Sequence, residues 1–200
     1  MRFALLILAL VLFPFAAQAT EAPSGQIHID AQKVLRGQFV ALLQMKGATA
    51  PMQSTGHFVV APGHGLIWNI EQPFPTSTVV TPNGATQNIG GMVMKLPAKN
   101  LRHLYEMVGG ALAGDWSGLE QDYVLTPSGD EHHWHMLLVP RQTDKPKLSY
   151  ARIMVSGGKF VENIAMVKAD GTYDTFSFTD AALASTPLSA QESAVFQQAP

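Results

Sequence analysis

Hydrophobic and polar positions alternate along most of this chain, and the alternation has the period of a β-strand. Over residues 34–45, Leu35, Phe39, Ala41, Leu43 and Met45 occupy odd positions, while Arg36, Gln38 and Gln44 occupy even ones. This predicts a strand with one wet face; a helix is the alternative, which Gly37 disfavours by up to about 1 kcal/mol. Residues 56–61 and 66–70 flank Pro62-Gly63-His64-Gly65 and predict a hairpin in which Leu66, Trp68 and Ile70 share a face. Strands are also predicted over 77–81 and 86–89, around Pro82-Asn83-Gly84, and over 123–126 and 133–139, around Pro127-Ser128-Gly129-Asp130. The last three, over 151–155, 160–167 and 172–178, are joined by Ser156-Gly157-Gly158-Lys159 and Asp170-Gly171. Short links between successive strands describe an antiparallel meander.

The period changes once inside the chain. Leu101, Leu104, Tyr105, Val108 and Leu112 recur at three- and four-residue steps after Asn100, a residue suited to capping, and predict a helix over 100–112. Gly109-Gly110 weakens its last turn and Gly114-Asp115 ends it. Such a helix is either a fixed layer on the sheet or a movable one; for a movable helix, alanine at both glycines should raise stability. Residues 185–200 are small and polar except Leu188, Val195 and Phe196, and Ser189-Ala190-Gln191-Glu192 has the spelling of a capping box for a short terminal helix.

The longest apolar run opens the chain. Met1-Arg2, the apolar residues 3–17 and Ala17-Gln18-Ala19 match the basic, apolar and small-x-small parts of a secretory signal peptide, so residues 1–19 are expected to be a cleaved leader. An uncleaved anchor is the alternative, disfavoured by the run's length and by Pro14. Residues 20–200 then form a single domain, soluble in a periplasm-like space after cleavage. Losing Arg2 with the leader leaves 12 basic against 15 acidic side chains, a formal charge of −3, with no basic stripe for nucleic acid. The absence of cysteine excludes disulfides, thiolate metal sites and a lipid-bearing cysteine.

Candidate chemistry is sparse. His133 and His135, two apart on an expected strand and beside His132, could supply half of a metal site, with Asp130 and Glu131 nearby in a turn. The plainer reading is a solvent-facing pair opposite Trp134, Met136 and Leu138. No nucleophile elbow, phosphate-cradling glycine loop or dinucleotide fingerprint occurs, so neither an enzyme nor a cofactor is expected. Only 14% of residues are charged. A single antiparallel sheet with one internal helix to cover it must close into a barrel, dimerise or hold an apolar ligand in a groove.

The ordered set Arg36-Gly37-Gln38-Phe39, Ser54-Thr55-Gly56-His57-Phe58, Gly65-Leu66-Ile67-Trp68 and Gln72-Pro73-Phe74 resembles the opening strands of the LolA-like periplasmic lipoprotein carriers. Leu112-Ala113-Gly114-Asp115, the run Trp134–Pro140 and Asp170-Gly171-Thr172 continue that order, so the likeness spans residues 34–178. It is greatest to the LolA-related branch associated with lipid and aryl-polyene biosynthesis. The resemblance implies a mainly β fold: an incomplete antiparallel β-barrel, curved around an apolar hollow and covered by an amphipathic helix. It also implies a carrier of acyl chains of lipoproteins, or of another amphiphilic lipid, in transient contact with membrane-bound donor and acceptor proteins. The hollow and lid would be lined by Phe39, Phe58, Leu66, Trp68, Ile70, Leu101, Leu104, Tyr105, Val108, Leu112, Trp134, Met136 and Leu138, although alternation alone does not say which face is concave. Two departures stand out. Val60-Ala61-Pro62-Gly63 occupies the place of a lid-holding arginine in the housekeeping carrier, and residues 20–33, with a strand-like Gln26-Ile27-His28-Ile29, replace a long N-terminal helix. The alternative is a non-transporting interaction module of an envelope lipid-biosynthesis assembly, docking through Leu188, Val195 and Phe196.

Overall fold

The computed structural model describes residues 28–45, 47–96, 100–141, 150–184 and 187–199; the expected leader lies outside the described residues. Eleven strands form one antiparallel sheet: β1 (Val34–Leu43), β2 (Met52–Ala61), β3 (Gly65–Gln72), β4 (Thr76–Thr81), β5 (Gly84–Ile89), β6 (Met92–Lys95), β7 (Tyr123–Gly129), β8 (Trp134–Pro140), β9 (Tyr150–Gly157), β10 (Val161–Lys168) and β11 (Tyr173–Ala184). Helix α1 (Asn100–Ala113) interrupts them after β6, and α2 (Ala190–Gln198) ends the chain. The strand order is β6-β5-β4-β3-β2-β1-β11-β10-β9-β8-β7, so the sheet is open between β6 and β7 and has the form of an incomplete barrel.

The expected hairpins are present, most with longer strands and with β8 and β10 shifted by one residue, and β6 is an addition to them. β1 stops at Leu43, two residues before the expected Met45. His28 and Ile29 are not in a strand, contrary to the expectation for residues 26–29; Ile29 instead donates its amide to the Ala113 carbonyl at 2.9 Å and is buried beneath the end of α1. Gly37 has a positive reason for its place in β1. It pairs with Phe58 of β2, and a Cβ there would meet the Phe58 ring at 2.7 Å, so the glycine provides the surface on which that ring lies.

Inward positions build the main core. Leu35, Phe39 and Ala41 of β1 join Phe58 and Val60, Leu66 and Trp68, and Phe176 and Phe178 of β11. Across the barrel Leu125, Trp134, Met136, Leu138, Ile153, Val155, Ile164 and Met166 continue the same face. Three pieces fill the concavity: Ile29, α1 on β2, β3 and β4, and the segment carrying Trp116 and Leu119, which leads down to β7.

The outer face of β1–β4 is covered too. Val34, Val59, Ala61, Ile67 and Val79 form a second apolar cluster under Phe196 of α2, with Leu188 and Val195 packed against it. This explains why 58–61, 66–68 and 78–81 are buried at consecutive positions instead of alternate ones. The apolar residues of the tail, read from sequence as a docking segment, are thus engaged on the chain's own sheet. On β7–β9 neither described helix covers the outer face, and Val124, Val139 and Met154 are exposed there.

Two ion pairs fasten the assembly. Lys168 lies 2.9 Å from Asp174, a side chain only 5% exposed, which also accepts from the Gln44 amide at 3.0 Å and from the Tyr150 hydroxyl at 3.3 Å. This ties the end of β1 to the β10–β11 hairpin. Arg36 grips both carboxylate oxygens of Glu192 at 2.8 and 2.7 Å, while Glu192 and Ser189 complete the capping box of α2. The Arg36 hydrogen bonds, helped by those from Ser189, push the Glu192 carboxyl down to about 2 from an ordinary 4.5.

Because the folded value lies below the unfolded one, the stabilisation from Glu192 is complete above about pH 4.5 and is lost as pH falls toward about 2. Hydrogen exchange should therefore show α2 losing protection across that window before the sheet does. Glu192→Gln should weaken α2 docking by about 1–2 kcal/mol at neutral pH and abolish the acid dependence.

Candidate functional site

Alternation in β1, β2, β3 and β11 delivers aromatic side chains to one place in the concavity. Trp68 is their hub. Its ring stacks on Phe39 with centroids 3.7 Å apart and planes 23° apart, and Phe176 meets it edge-on at 5.8 Å. Phe178 packs edge-on at 6.3 Å, and Phe58 lies beyond at 6.5 Å. Tyr105 of α1 covers the cluster, its ring tilted 58° at 6.1 Å from Trp68. A second focus lies across the barrel, where Trp116 meets Trp134 edge-on at 6.3 Å and the Trp134 indole N–H donates to the Gly158 carbonyl.

The structure gathers most of the residues singled out from sequence. Phe39, Phe58, Leu66, Trp68, Tyr105, Val108, Leu112, Trp134, Met136 and Leu138 are buried in the main core, and Ile70 packs against it half-buried. The side chains of Leu101 and Leu104, and of the expected cap Asn100, lie outside the described residues. Phe176, Phe178, Trp116, Leu119 and Tyr123 are also part of this interior and were not singled out. Phe176 and Phe178 alternate in β11 and could have been found by the same pattern. Trp116 and Leu119 sit in an irregular segment that has no period to read.

Helix α1 is more enclosed than one apolar stripe suggests. Met107 and Ala111 are buried along with Tyr105, Val108 and Leu112, so its C-terminal half is an interior helix. A polar anchor of its described part is the Tyr105 hydroxyl, bonded to Thr78 of β4, whose side chain also accepts from Gln87 at 3.2 Å. Burial raises the Tyr105 pKa and the Thr78 bond partly offsets the rise. At the helix end the Gly114 amide donates to Ala111 and the Asp115 amide to Gly110, with Gly114 at φ +70°, a Schellman closure.

Among the described residues, two of the empty spaces beside α1 concern the site. One of about 90 Å³ lies between the helix and the aromatic cluster, walled by Phe39, Trp68, Ile70, Tyr105, Val108 and Phe176 among others. The other, about 430 Å³, opens at the end of the barrel. Leu66, Val60 and Val80 line its depth, the tips of the β2–β3 and β4–β5 hairpins line its rim, and Gly109, Gly110 and Ala113 form its helical wall. Its size falls within the range of small-molecule pockets, about 300–1,000 Å³.

The histidines do not assemble. His133 lies in the turn before β8 instead of on the strand, so it does not share a strand face with His135. Asp130 accepts the amides of His132 and His133, both at 2.8 Å, and closes that turn; those bonds lower its pKa. Among the described residues no group of three His, Cys, Asp or Glu is placed to hold a metal ion. None of the described helices is long and apolar enough to cross a membrane.

A sequence profile described as outer membrane lipoprotein carrier protein LolA-like matches residues 25–194. The chain belongs to that LolA-like family. The family takes its description from a carrier, a binding role and not a catalytic one. Comparison with curated proteins returned no match. Among solved structures, a LolA superfamily protein from Nitrosomonas europaea is 8% identical, covering 80% of this chain and 90% of that one at a TM-score of 0.43. An outer membrane lipoprotein-sorting protein domain from Vibrio parahaemolyticus is 10% identical over 86% of this chain and 94% of that one, at 0.42. A DUF1329 family protein from Desulfovibrio piger is 7% identical over 76% and 86% respectively, at 0.37.

The two glycines of α1 in this LolA-like chain are not equivalent. A Cβ at Gly109 would touch Leu66 at an ordinary 3.6 Å, whereas one at Gly110 would press the Asp115 carbonyl at 2.9 Å. The expectation that alanine at both raises stability is therefore corrected. Gly109→Ala should raise the thermal midpoint by about 1–3 °C through helix propensity, and Gly110→Ala should lower it by forcing open the Schellman turn; melting curves of the single variants test this.

Proposed function

We propose that this protein is a periplasmic carrier that takes acyl chains of lipoproteins, or of another amphiphilic lipid, into the concavity beneath α1 and moves them between membranes. The observation that carries the reading is the Trp68 cluster: a concave apolar face, roofed by a separate helix, in a chain of the LolA-like family. An acyl chain of about fifteen methylenes loses roughly 12 kcal/mol of apolar contact on leaving a bilayer for water. A carrier must replace most of that contact and still let go.

Helix α1 supplies the exchange. Its buried Tyr105, Met107, Val108 and Leu112 each contribute about 1.5–3 kcal/mol by lying on the sheet, a total of the same order as one acyl chain. Cargo and helix compete for the same apolar wall at nearly equal gain, so neither occupies it irreversibly. Cleavage of residues 1–19 delivers residues 20–200 to the periplasm as the working domain. Donor and acceptor proteins at the two membranes contact the carrier transiently.

Two measurements test the proposal. Native mass spectrometry of protein from cells with intact membranes should show bound lipid, and a fluorescent fatty-acid probe should bind and quench tryptophan emission. A lipid-free mass together with no probe uptake contradicts it. Tyr105→Phe, which removes the bond to Thr78, should cost about 1 kcal/mol of stability and speed probe exchange about fivefold. Exchange at the parent rate would mean that α1 does not govern access.

A further inference from the structure

The 430 Å³ space at the barrel end carries a chemical preference that an apolar hollow alone does not. None of the described residues lining it is lysine or arginine; its ionisable side chains among them are His28, Asp115 and Tyr105, whose phenol burial keeps protonated. The helical wall is the C-terminal end of α1, where backbone carbonyls concentrate partial negative charge and where the last turn carries no basic residue to offset it. His28 Nδ1 lies 3.3 Å from the Gly114 carbonyl oxygen. A carbonyl can only accept, so the ring donates from Nδ1, and an imidazole carrying that one proton offers Nε2 as a further acceptor. Two rim residues, Pro62 and Pro82, have no backbone N–H to give.

Asp115 is held for this role. Its Oδ1 accepts from the Ser117 amide at 3.1 Å and from the Ser117 hydroxyl at 2.6 Å, which fixes the carboxylate beside the helix end. It is exposed, so its pull on a ligand is that of a screened surface charge, not of a buried one. The apolar depth of the same space, formed by Leu66, Val60 and Val80, adjoins the cluster proposed to take the acyl chain.

We infer that this mouth selects amphiphiles whose head is a hydrogen-bond donor, an ammonium or a hydroxyl-bearing neutral group, and disfavours phosphate and carboxylate heads. The inference rests on the carrier reading and specifies the cargo's head. A donor head meets the Asp115 carboxylate, the His28 Nε2 lone pair and the helix carbonyl end together. An anionic head meets three electronegative surfaces without a cationic side chain from the described lining. The chain of the amphiphile then runs inward past Leu66.

The test compares three probes with one twelve-carbon chain: dodecylammonium, monododecanoylglycerol and dodecyl phosphate. Each is titrated below its micelle concentration by calorimetry and tryptophan fluorescence at pH 8. Dodecylammonium and the glycerol ester should bind at least about fivefold more tightly than the phosphate, the discrimination expected of one helix end plus one exposed charge. Asp115→Asn, which keeps the acceptor for Ser117, should weaken dodecylammonium about two- to fivefold and leave the glycerol ester within about twofold. Added salt should reduce the ammonium preference in the parent. Phosphate binding equal to or tighter than ammonium binding overturns this inference alone, as does an ammonium affinity that Asp115→Asn leaves unchanged. Failure of all three probes to bind overturns the carrier reading and this inference with it.

Discussion

Trp68 lies between Phe39, stacked on it at 3.7 Å, and Tyr105 of α1 at 6.1 Å, so the concave face stays dry only while the helix is in place. The sheet cannot remove that face from water by itself, because its edges β6 and β7 are not joined. Everything else follows from this constraint. Ile29 bonds to the end of α1, the Schellman turn aims the chain into the segment bearing Trp116, and the Tyr105 hydroxyl reaches Thr78. Each holds the roof of a concavity that lacks a continuous wall.

The two faces of β1–β4 are dressed differently, and the difference has a mechanical use. On the outside, α2 is pinned by a two-pronged Arg36–Glu192 contact whose geometry favours persistence. On the inside, α1 is held mainly by apolar contact, with the Tyr105–Thr78 bond along its length and the Ile29 amide on the Ala113 carbonyl at its end. Apolar contact is not directional, so another apolar body can replace it at little net cost. A sheet braced on its convex side can keep its curvature while its concave cover is exchanged.

Much of this arrangement was legible in the sequence. Period-two alternation grouped on one face the residues that β1, β3 and β8 turn inward, and the shift to three- and four-residue spacing located α1 within a residue of its observed end. Glycine at 114 and the Ser189–Glu192 spelling marked helix boundaries through local backbone chemistry, which sequence carries directly. Part of what escaped lacks a local signature. β6, the Met-Val-Met-Lys stretch, has no alternation because the whole edge strand is exposed. Trp116 and Leu119 are buried by tertiary position in an irregular segment. The outer cluster under Phe196 was written in the unbroken apolar runs Phe58-Val59-Val60-Ala61 and Leu66-Ile67-Trp68, which signal strands covered on both sides. His133 falls one residue short of β8, and alternation does not mark a boundary that fine.

A reversible lock tests most directly whether α1 must leave the sheet for cargo to bind. The chain has no cysteine, and a Cβ at Gly109 would lie 3.6 Å from that of Leu66, inside the roughly 3.5–4.5 Å separation of a disulfide. Gly109→Cys combined with Leu66→Cys therefore ties helix to strand when oxidised and frees it when reduced, in one protein with one composition. The account predicts that the oxidised form takes up little or no fluorescent fatty acid and that reduction restores uptake. Equal uptake by the oxidised and reduced forms, with the cross-link verified by mass, would contradict it.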